Sequence, residues 1–209
     1  MINIDSVKIE HILTSIKRRQ MNAFFFNTAA EAGKWIIQTV PKGVSVGWGD
    51  SLTLEATGVK EHFRNGPYTV YDRDAAGNDT VRKEEILRGA LTCDWYLVGS
   101  NALTENGELL NIDGRGNRCA SISFGPHNVI FTVGVNKIVK DLNAAIERVH
   151  KVACVANVKR HNLRTPCSLT GECSDCTVPD CACSQILITR FSRHPGRCSV
   201  LIIGEELGF

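Results

Sequence analysis

The stretch between residues 97 and 137 constrains the fold most. It is rich in glycine and asparagine, and it joins two apolar strands that we predict at residues 95–98 and 129–133. Long connections without helical periodicity are uncommon in a compact domain unless they carry function. The sequence therefore predicts functional loops held in place by a rigid sheet.

Composition limits the class of protein. The chain has 209 residues, 43% of them hydrophobic, and a net charge of +2, which fits a single α/β domain over 1–209. This charge gives no reason to expect nucleic acid as a partner. No apolar run is long enough to cross a bilayer, and the first twenty residues lack a signal-peptide core, so we expect a cytoplasmic protein with no membrane partner. Its nine cysteines should then be reduced, metal-bound or catalytic.

Predicted strands alternate with predicted helices along most of the chain. This order favours a mostly parallel sheet flanked by helices, in which ligands bind beyond the carboxyl ends of the strands. The predicted strands are 44–47, 68–71, 95–98, 129–133, 186–189 and 198–203. The predicted helices are 5–24 and 29–40, which form the N-terminal part at 5–40, and then 52–63, 81–91 and 138–150.

Three polar turns follow predicted strand ends, at residues 47–51, 99–104 and 134–137. A glycine turn between a strand and a helix can direct backbone N–H groups at an anion, although it can also be a plain connection. The P-loop lysine and the dinucleotide fingerprint are both missing. We predict one shared anion site, with these candidates: Gly47, Gly49, Ser51, Thr53, Gly99, Asn101, Thr104, Asn106, Gly107, Asn111, Asp113, Gly114, Arg118, Asn136 and Lys137.

Three acids are candidates for a general base: Glu55, Glu108 and Asp113. Each is equally compatible with a solvated turn or helix-surface carboxylate, so the catalytic residue stays open. The sequence has no Gly-x-Ser-x-Gly elbow, no His-Glu-x-x-His motif and no convincing Ser/His/Asp set. Arg118 and Lys137 are better candidates for gripping a phosphate or carboxylate than any of the acids is for catalysis.

Four long motifs carry a family resemblance: GSNALTENGELLNIDGRGNR, GPHNVIFTVGVNKIVKDLNAAIER, NVKRHNLRTPCSLTGECSDC and IIGEELGF. Together they resemble the LUD domain family, which includes lactate-utilization protein C, over about residues 44–209. The resemblance implies a fold similar to the ribose-5-phosphate isomerase and CoA-transferase-like superfamily. It also implies a role in bacterial lactate or organic-acid oxidation beside iron–sulfur partner proteins. In the related sugar-phosphate isomerase pattern an aspartate stands at the place of Asn101, so this chain lacks that carboxylate.

A cysteine-rich segment spans residues 164–184. Closely spaced thiols suit a four-thiolate Zn²⁺ site or an iron–sulfur cluster, and reduced thiols are the simple alternative. The family-like pattern favours Cys183 over Cys181 as a ligand. The predicted ligands are therefore Cys167, Cys173, Cys176 and Cys183, with Zn²⁺ preferred and an iron–sulfur cluster as the alternative.

Three functions remain as hypotheses. The first, which we favour, is an accessory component of lactate or organic-acid oxidation that binds a small anionic metabolite. The second is an enzyme that acts on a phosphorylated or CoA-linked metabolite. The third is a regulatory module that senses metal or redox state through its cysteines. Whether the chain forms a homo-oligomer is left open.

Overall fold

The computed structural model describes residues 6–209. Its strands, in chain order, are β1 (Asn22–Phe26), β2 (Ser45–Trp48), β3 (Thr69–Tyr71), β4 (Trp95–Gly99), β5 (Ala102–Thr104), β6 (Leu109–Asp113), β7 (Asn128–Gly134), β8 (Ile138–Val139), β9 (Gln185–Thr189) and β10 (Cys198–Ile203). Its α-helices are α1 (Ser6–Arg18), α2 (Ala29–Thr39), α3 (Leu52–Ala56), α4 (Val59–Asn65), α5 (Thr80–Gly89), α6 (Asn117–Ser123), α7 (Leu142–Arg148), α8 (Cys154–Arg160) and α9 (Pro166–Thr170).

The larger sheet is parallel and has the spatial order β1-β10-β7-β4-β2-β3. The predicted parallel sheet flanked by helices is therefore confirmed. Its central strands are buried on both faces, which is why they are nearly continuous apolar runs in the sequence. In β4, Tyr96 and Val98 pack towards α1, whereas Leu97 packs towards α2 and α4.

A smaller mixed sheet has the order β8-β5-β6-β9. Its centre is the antiparallel hairpin of β5 and β6, whose turn contains Asn106-Gly107, and Gly107 has the positive φ (+84°) such a turn needs. This sheet packs against α7 and α8 through a core of its own, which includes Leu110, Ala145 and Val158. The sequence did not predict a second sheet.

The first predicted helix was too long. Helix α1 ends at Arg18 instead of residue 24, and the predicted start at Asp5 lies outside the described residues. Gln20 has a positive φ (+60°) that a right-handed helix cannot contain. The aromatic residues that follow form β1, which pairs with β10.

Two other helices also differ from prediction. Residues 52–63 form α3 and α4, which are separated at Gly58 by its positive φ (+72°). The predicted helix at 138–150 begins only at Leu142, because Ile138-Val139 pair with β5. It continues through a π turn (Val149–Ala153) into α8, and this extension brings α8 to the functional site. Nowhere between residues 6 and 209 is a helix long and apolar enough to span a bilayer.

Candidate functional site

The carboxyl ends of β2, β4 and β7 lie side by side, because these strands are neighbours in the parallel sheet. The turns that follow them face a cavity of about 500 Å³, together with a small pocket of about 50 Å³ that shares Asp50, Asn101, Arg118 and Asn157 with it. This position is the usual ligand position in open parallel sheets.

Basic side chains outnumber acidic ones around the cavity and its pocket. The basic residues are Arg73, Lys83, Arg115, Arg118, Lys137 and Arg160, and the acidic residues are Asp50, Asp113 and Asp180. A cavity lined in this way attracts an anion, since the walls are of lower dielectric than water and focus the positive field.

Asp50 is the centre of a charged network on one wall. It accepts hydrogen bonds from Arg160 and from His161 Nε2 (2.7 Å), and its Oδ2 lies 2.9 Å from Arg73 Nη2. Burial would raise the pKa of Asp50, but the hydrogen bond from Arg160 and the surrounding positive charges hold it at about 2. Asp50 therefore stays ionised and serves to fix its basic neighbours.

Lys137 lines the small pocket. Its side chain is buried, and Nζ donates to Thr53 Oγ1 at 2.8 Å. Among residues 6–209, no carboxylate forms an ion pair with it. Burial, together with the charges of Arg148 and Arg118, lowers the pKa of Lys137 to about 7. A buried ammonium with three donors and no anionic partner is costly, and an anionic ligand would remove that cost.

Arg118 crosses from α6 to the turn after β4. Its Nη2 donates to Asn101 Oδ1 (2.8 Å) and to the backbone oxygen of Ile112. The start of α6 is fixed by Asp113, whose Oδ2 accepts from the backbone N–H of Arg118 (2.8 Å). Glycine at position 49 lets Arg118 pack closely, because a Cβ there would lie 3.0 Å from Arg118 Cδ. These contacts give the guanidinium a fixed position in the cavity wall.

The structure brings together about half of the predicted anion-binding residues. Eight line the cavity or its pocket: Gly49, Ser51, Gly99, Asn101, Asp113, Gly114, Arg118 and Lys137. Two more support it, since Thr53 contacts Lys137 and Asn136 holds the backbone of Leu207 and Gly208. The other five, Gly47, Thr104, Asn106, Gly107 and Asn111, lie in the sheets or the hairpin and outside both linings.

Two of the three candidate bases point elsewhere. Glu55 forms an ion pair with Lys60 (2.9 Å), and Glu108 forms one with Arg19 (2.6 Å) below the hairpin. Neither is part of the cavity lining, whereas Asp113 is. In this structure Asp113 accepts two backbone N–H groups of α6, which gives it a structural role.

Glu108→Gln is expected to lower the free energy of unfolding by about 2 kcal/mol, because it leaves the largely buried Arg19 without its counter-charge. Arg19 keeps its carbonyl acceptors, Asn106 O and Arg190 O, which limits the loss. The control is Glu105→Gln, because Glu105 forms a more exposed ion pair with Lys8. This variant should lose less than about 1 kcal/mol of unfolding free energy. Urea denaturation measures both, and an equal cost for the two variants would contradict the structural role of Glu108.

The cysteines of the C-terminal segment do not all meet. Cys167 is buried beside Thr165, and Cys173 Sγ lies 3.3 Å from His150 Nδ1. Cys181 Sγ instead lies 3.6 Å from Cys183 Sγ. Within the part of the chain that the structure describes, no three His, Cys, Asp or Glu side chains already surround a metal position. The predicted ligand set therefore stays a prediction.

Several lining residues were missed from the sequence. Asp50 lies inside the predicted turn at residues 47–51. An acidic residue next to a glycine in that turn was the signal that could have identified it. Asn157, Arg160 and His161 lie beyond residue 150, where the predicted helix stopped. Arg73 follows β3 and carries no motif. Recognising the π turn would have been necessary to place α8 at the cavity.

The fold and the cavity define a class: a parallel α/β domain with a basic cavity at the carboxyl ends of its strands. The chain belongs to the LUD domain family, since the model of that family, described as LUD domain, matches residues 9–203. No curated protein matches the chain.

Two solved structures are similar to this chain to different degrees. A DUF162 family protein from Deinococcus radiodurans has 14% sequence identity and a TM-score of 0.52, over 95% of this chain and 96% of that protein. The eIF2B delta structure from Chaetomium thermophilum has 16% identity and a TM-score of 0.34, over 67% of this chain and 54% of that one. At such identities the first likeness shows a shared fold only.

Proposed function

We propose that this LUD domain protein binds a small metabolite carrying a carboxylate or phosphate, as an accessory component of lactate or organic-acid oxidation. The observation that carries the proposal is the buried ammonium of Lys137 in the small pocket that adjoins the basic cavity, without a carboxylate partner among the described residues. Membership of the LUD domain family supports the metabolic setting. Iron–sulfur partner proteins and a likeness to the CoA-transferase-like superfamily remain predictions from the resemblance.

The ligand would enter through the cavity mouth and place its anionic group between Lys137 and Arg118. Both side chains line the small pocket, together with Ser51 and Asn101. Lys137 acts as a point charge, while Arg118 is already oriented by Asn101 and Ile112 and can add a directed hydrogen bond. The volume of about 500 Å³ suits a small metabolite.

The test is a calorimetric and thermal-shift panel of L-lactate, pyruvate, inorganic phosphate, ribose 5-phosphate and CoA. We expect at least one carboxylate or phosphate to bind and to raise the melting temperature, because a ligand that binds only the folded state stabilises it. The affinity for lactate should fall as pH rises from 6 to 9, since Lys137 loses its proton near pH 7 while the lactate carboxylate stays ionised.

Arg118→Gln should weaken this binding about tenfold through the lost charge-assisted contact. Arg88→Gln is the matched control, because Arg88 is exposed on α5 and pairs with Glu84 outside the cavity. Binding of none of these anions, or equal binding by the wild type and Arg118→Gln, would overturn the proposal.

A second candidate function is enzymatic. An amine whose pKa is about 7 can accept a proton at neutral pH, so Lys137 is a better placed base than Glu55 or Glu108. Under this hypothesis the isolated protein should turn over a sugar phosphate or CoA thioester without added proteins, and Lys137→Met should abolish turnover. Binding without turnover supports the accessory role. The regulatory hypothesis remains a prediction from the cysteines.

A further inference from the structure

Strand β9 leaves one edge of the smaller sheet open. It pairs with β6 along one side, and no strand between residues 6 and 209 pairs with its other side. Apart from that ladder, no hydrogen bond among the described residues uses the backbone of residues 185–189. An open strand edge presents unpaired N–H and C=O groups, which are a template for one further strand.

The exposed side chains of β9 are mostly apolar. Ile186 is 51% exposed and Ile188 is 39% exposed, although their partners in β6, Ile112 and Leu110, are buried. The core that β6 shares with α7 and α8 therefore stops short of β9. Edge strands are commonly protected by a charged residue or a proline, and β9 contains neither. This edge has the features of a strand that pairs with another chain.

A groove of about 1010 Å³ continues from the end of β9. It lies between residues 187–198 and residues 122–128, at the amino ends of β7 and β10, so it is at the opposite end of the larger sheet from the anion cavity. Phe124 and Phe191 line it, and they are 90% and 47% exposed. Aromatic side chains supply much of the contact area at protein interfaces.

The charge of the groove has one sign. Its lining has five basic or titratable side chains and no Asp or Glu: His127, Arg190, Arg193, His194 and Arg197. The guanidinium of Arg197 is used internally, because it donates to three backbone oxygens at residues 121, 122 and 126. Arg190 and Arg193 are exposed and form no ion pair among the described residues. Asp94 lies nearby, but it is held by Ser45 outside the lining.

We propose that the β9 surface, meaning the open edge of β9 together with this groove, binds an extended segment of another protein with alternating apolar and acidic side chains. The backbone of the segment adds a strand to β9. Its apolar side chains cover Ile186 and Ile188, and its acidic side chains meet Arg190 and Arg193. One segment can do both, because successive side chains of a strand point to opposite faces.

Charge and backbone together favour this partner over two others. A second copy of the chain on the same surface would bring its arginines against those of the first, and like charges across an interface are unfavourable. A single-stranded nucleic acid would match the arginines and phenylalanines, but it would leave the backbone of β9 unpaired. An acidic extended segment satisfies the strand edge, the apolar side chains and the charge.

The first test measures the fluorescence anisotropy of a labelled peptide of alternating glutamate and valine, titrated with the whole chain. We expect saturable binding. A peptide with lysine in place of every glutamate should bind at least about tenfold more weakly, because it repels the arginines. A glutamate–valine peptide with a central proline should also bind more weakly, since proline cannot donate to the ladder.

The second test uses two double variants with the same change in charge. Arg190→Glu combined with Arg193→Glu should weaken peptide binding about tenfold or more, through the loss of charge-assisted contacts. Arg82→Glu combined with Arg88→Glu is the matched control, because both arginines are exposed on α5 away from the groove. Urea denaturation of each variant verifies that it is folded.

Four results would overturn the proposal: no saturable binding of the glutamate–valine peptide, equal binding of the lysine peptide, an equal loss in the two double variants, or tighter binding of a labelled oligouridylate. A dimer in sedimentation that Ile188→Lys dissociates would also overturn it, because the surface would then belong to a second copy. Binding of lactate or phosphate depends on residues at the other end of the sheet, so failure of either proposal is distinguishable.

Discussion

Replacing Lys137 with methionine is expected to stabilise the protein at pH 6 while weakening its binding of a carboxylate or phosphate at least tenfold. Both effects follow from one feature, the buried ammonium whose neighbours are the basic Arg148 and Arg118. Methionine has a similar length and no charge, so it removes the desolvation cost and also the attraction for the anion. A gain in stability coupled to a loss of function is typical of binding-site residues.

The effect of Lys137 on the free energy of unfolding should depend on pH. The pKa of Lys137 is about 7 in the folded protein against 10.5 in the unfolded chain. Between these values the unfolded state binds the extra proton, so the free energy of unfolding of the wild type should rise with pH in this window. The slope due to this group approaches about 1.4 kcal/mol per pH unit. Below pH 7 the full penalty is present, and above the unfolded pKa it vanishes.

Urea denaturation of the wild type and Lys137→Met at pH 6, 7.5 and 9 measures the effect. The stability advantage of the variant should shrink as the pH rises. Lys60→Met is the matched control, because Lys60 is similarly buried but is paired with Glu55 at 2.9 Å. It should show no gain at pH 6. An advantage for Lys137→Met that does not change with pH would contradict a lowered pKa of Lys137 in the folded protein.

Gly107→Ala is expected to lower the free energy of unfolding by about 3 kcal/mol or more. Gly107 has a φ of +84°, which costs an L-residue about 1 kcal/mol. A Cβ there would also lie 2.8 Å from the backbone nitrogen of Ile16, so α1 would have to move away from the hairpin. Overpacking against backbone adds typically about 1–3 kcal/mol.

Gly43→Ala separates these two causes. Gly43 has nearly the same φ (+82°), but a Cβ there would meet nothing within 4 Å. It should therefore cost only about 1 kcal/mol, and the difference between the variants measures the contact with α1. Chemical denaturation of both variants checks the prediction. An equal loss of unfolding free energy in the two variants would show that the contact between the hairpin and α1 does not contribute measurably to stability.

The sequence predicted the part of the fold that depends on local pattern. Strand β10 was placed at its observed bounds, and helix α2, predicted at 29–40, ends one residue earlier at Thr39. The convergence of the turns after β2, β4 and β7 follows from the geometry of parallel sheets alone. For this reason Gly49, Asn101 and Lys137 could be placed at the same edge of the sheet from the sequence alone.

The errors occur where long-range contacts decide the outcome. Phe24 belongs to β1 because β10 pairs with it, and nothing near Phe24 in the sequence reveals that partner. Ile138 leaves the expected helix because β5 is available to pair with it. Arg160 reaches the cavity only because α8 continues past the π turn. Such choices depend on tertiary pairing, which overrides local propensity.

The pairing of β1 with β10 also has a consequence for how the chain is made. Asn22 meets Ser199, 177 positions later, and among the described residues β1 has no other neighbour in the sheet. On the ribosome, the three phenylalanines at 24–26 therefore emerge long before their partner strand exists. Contacts this distant in sequence slow folding and expose apolar segments during synthesis. Nascent chains of this protein should consequently be clients for chaperones until the last strand is released.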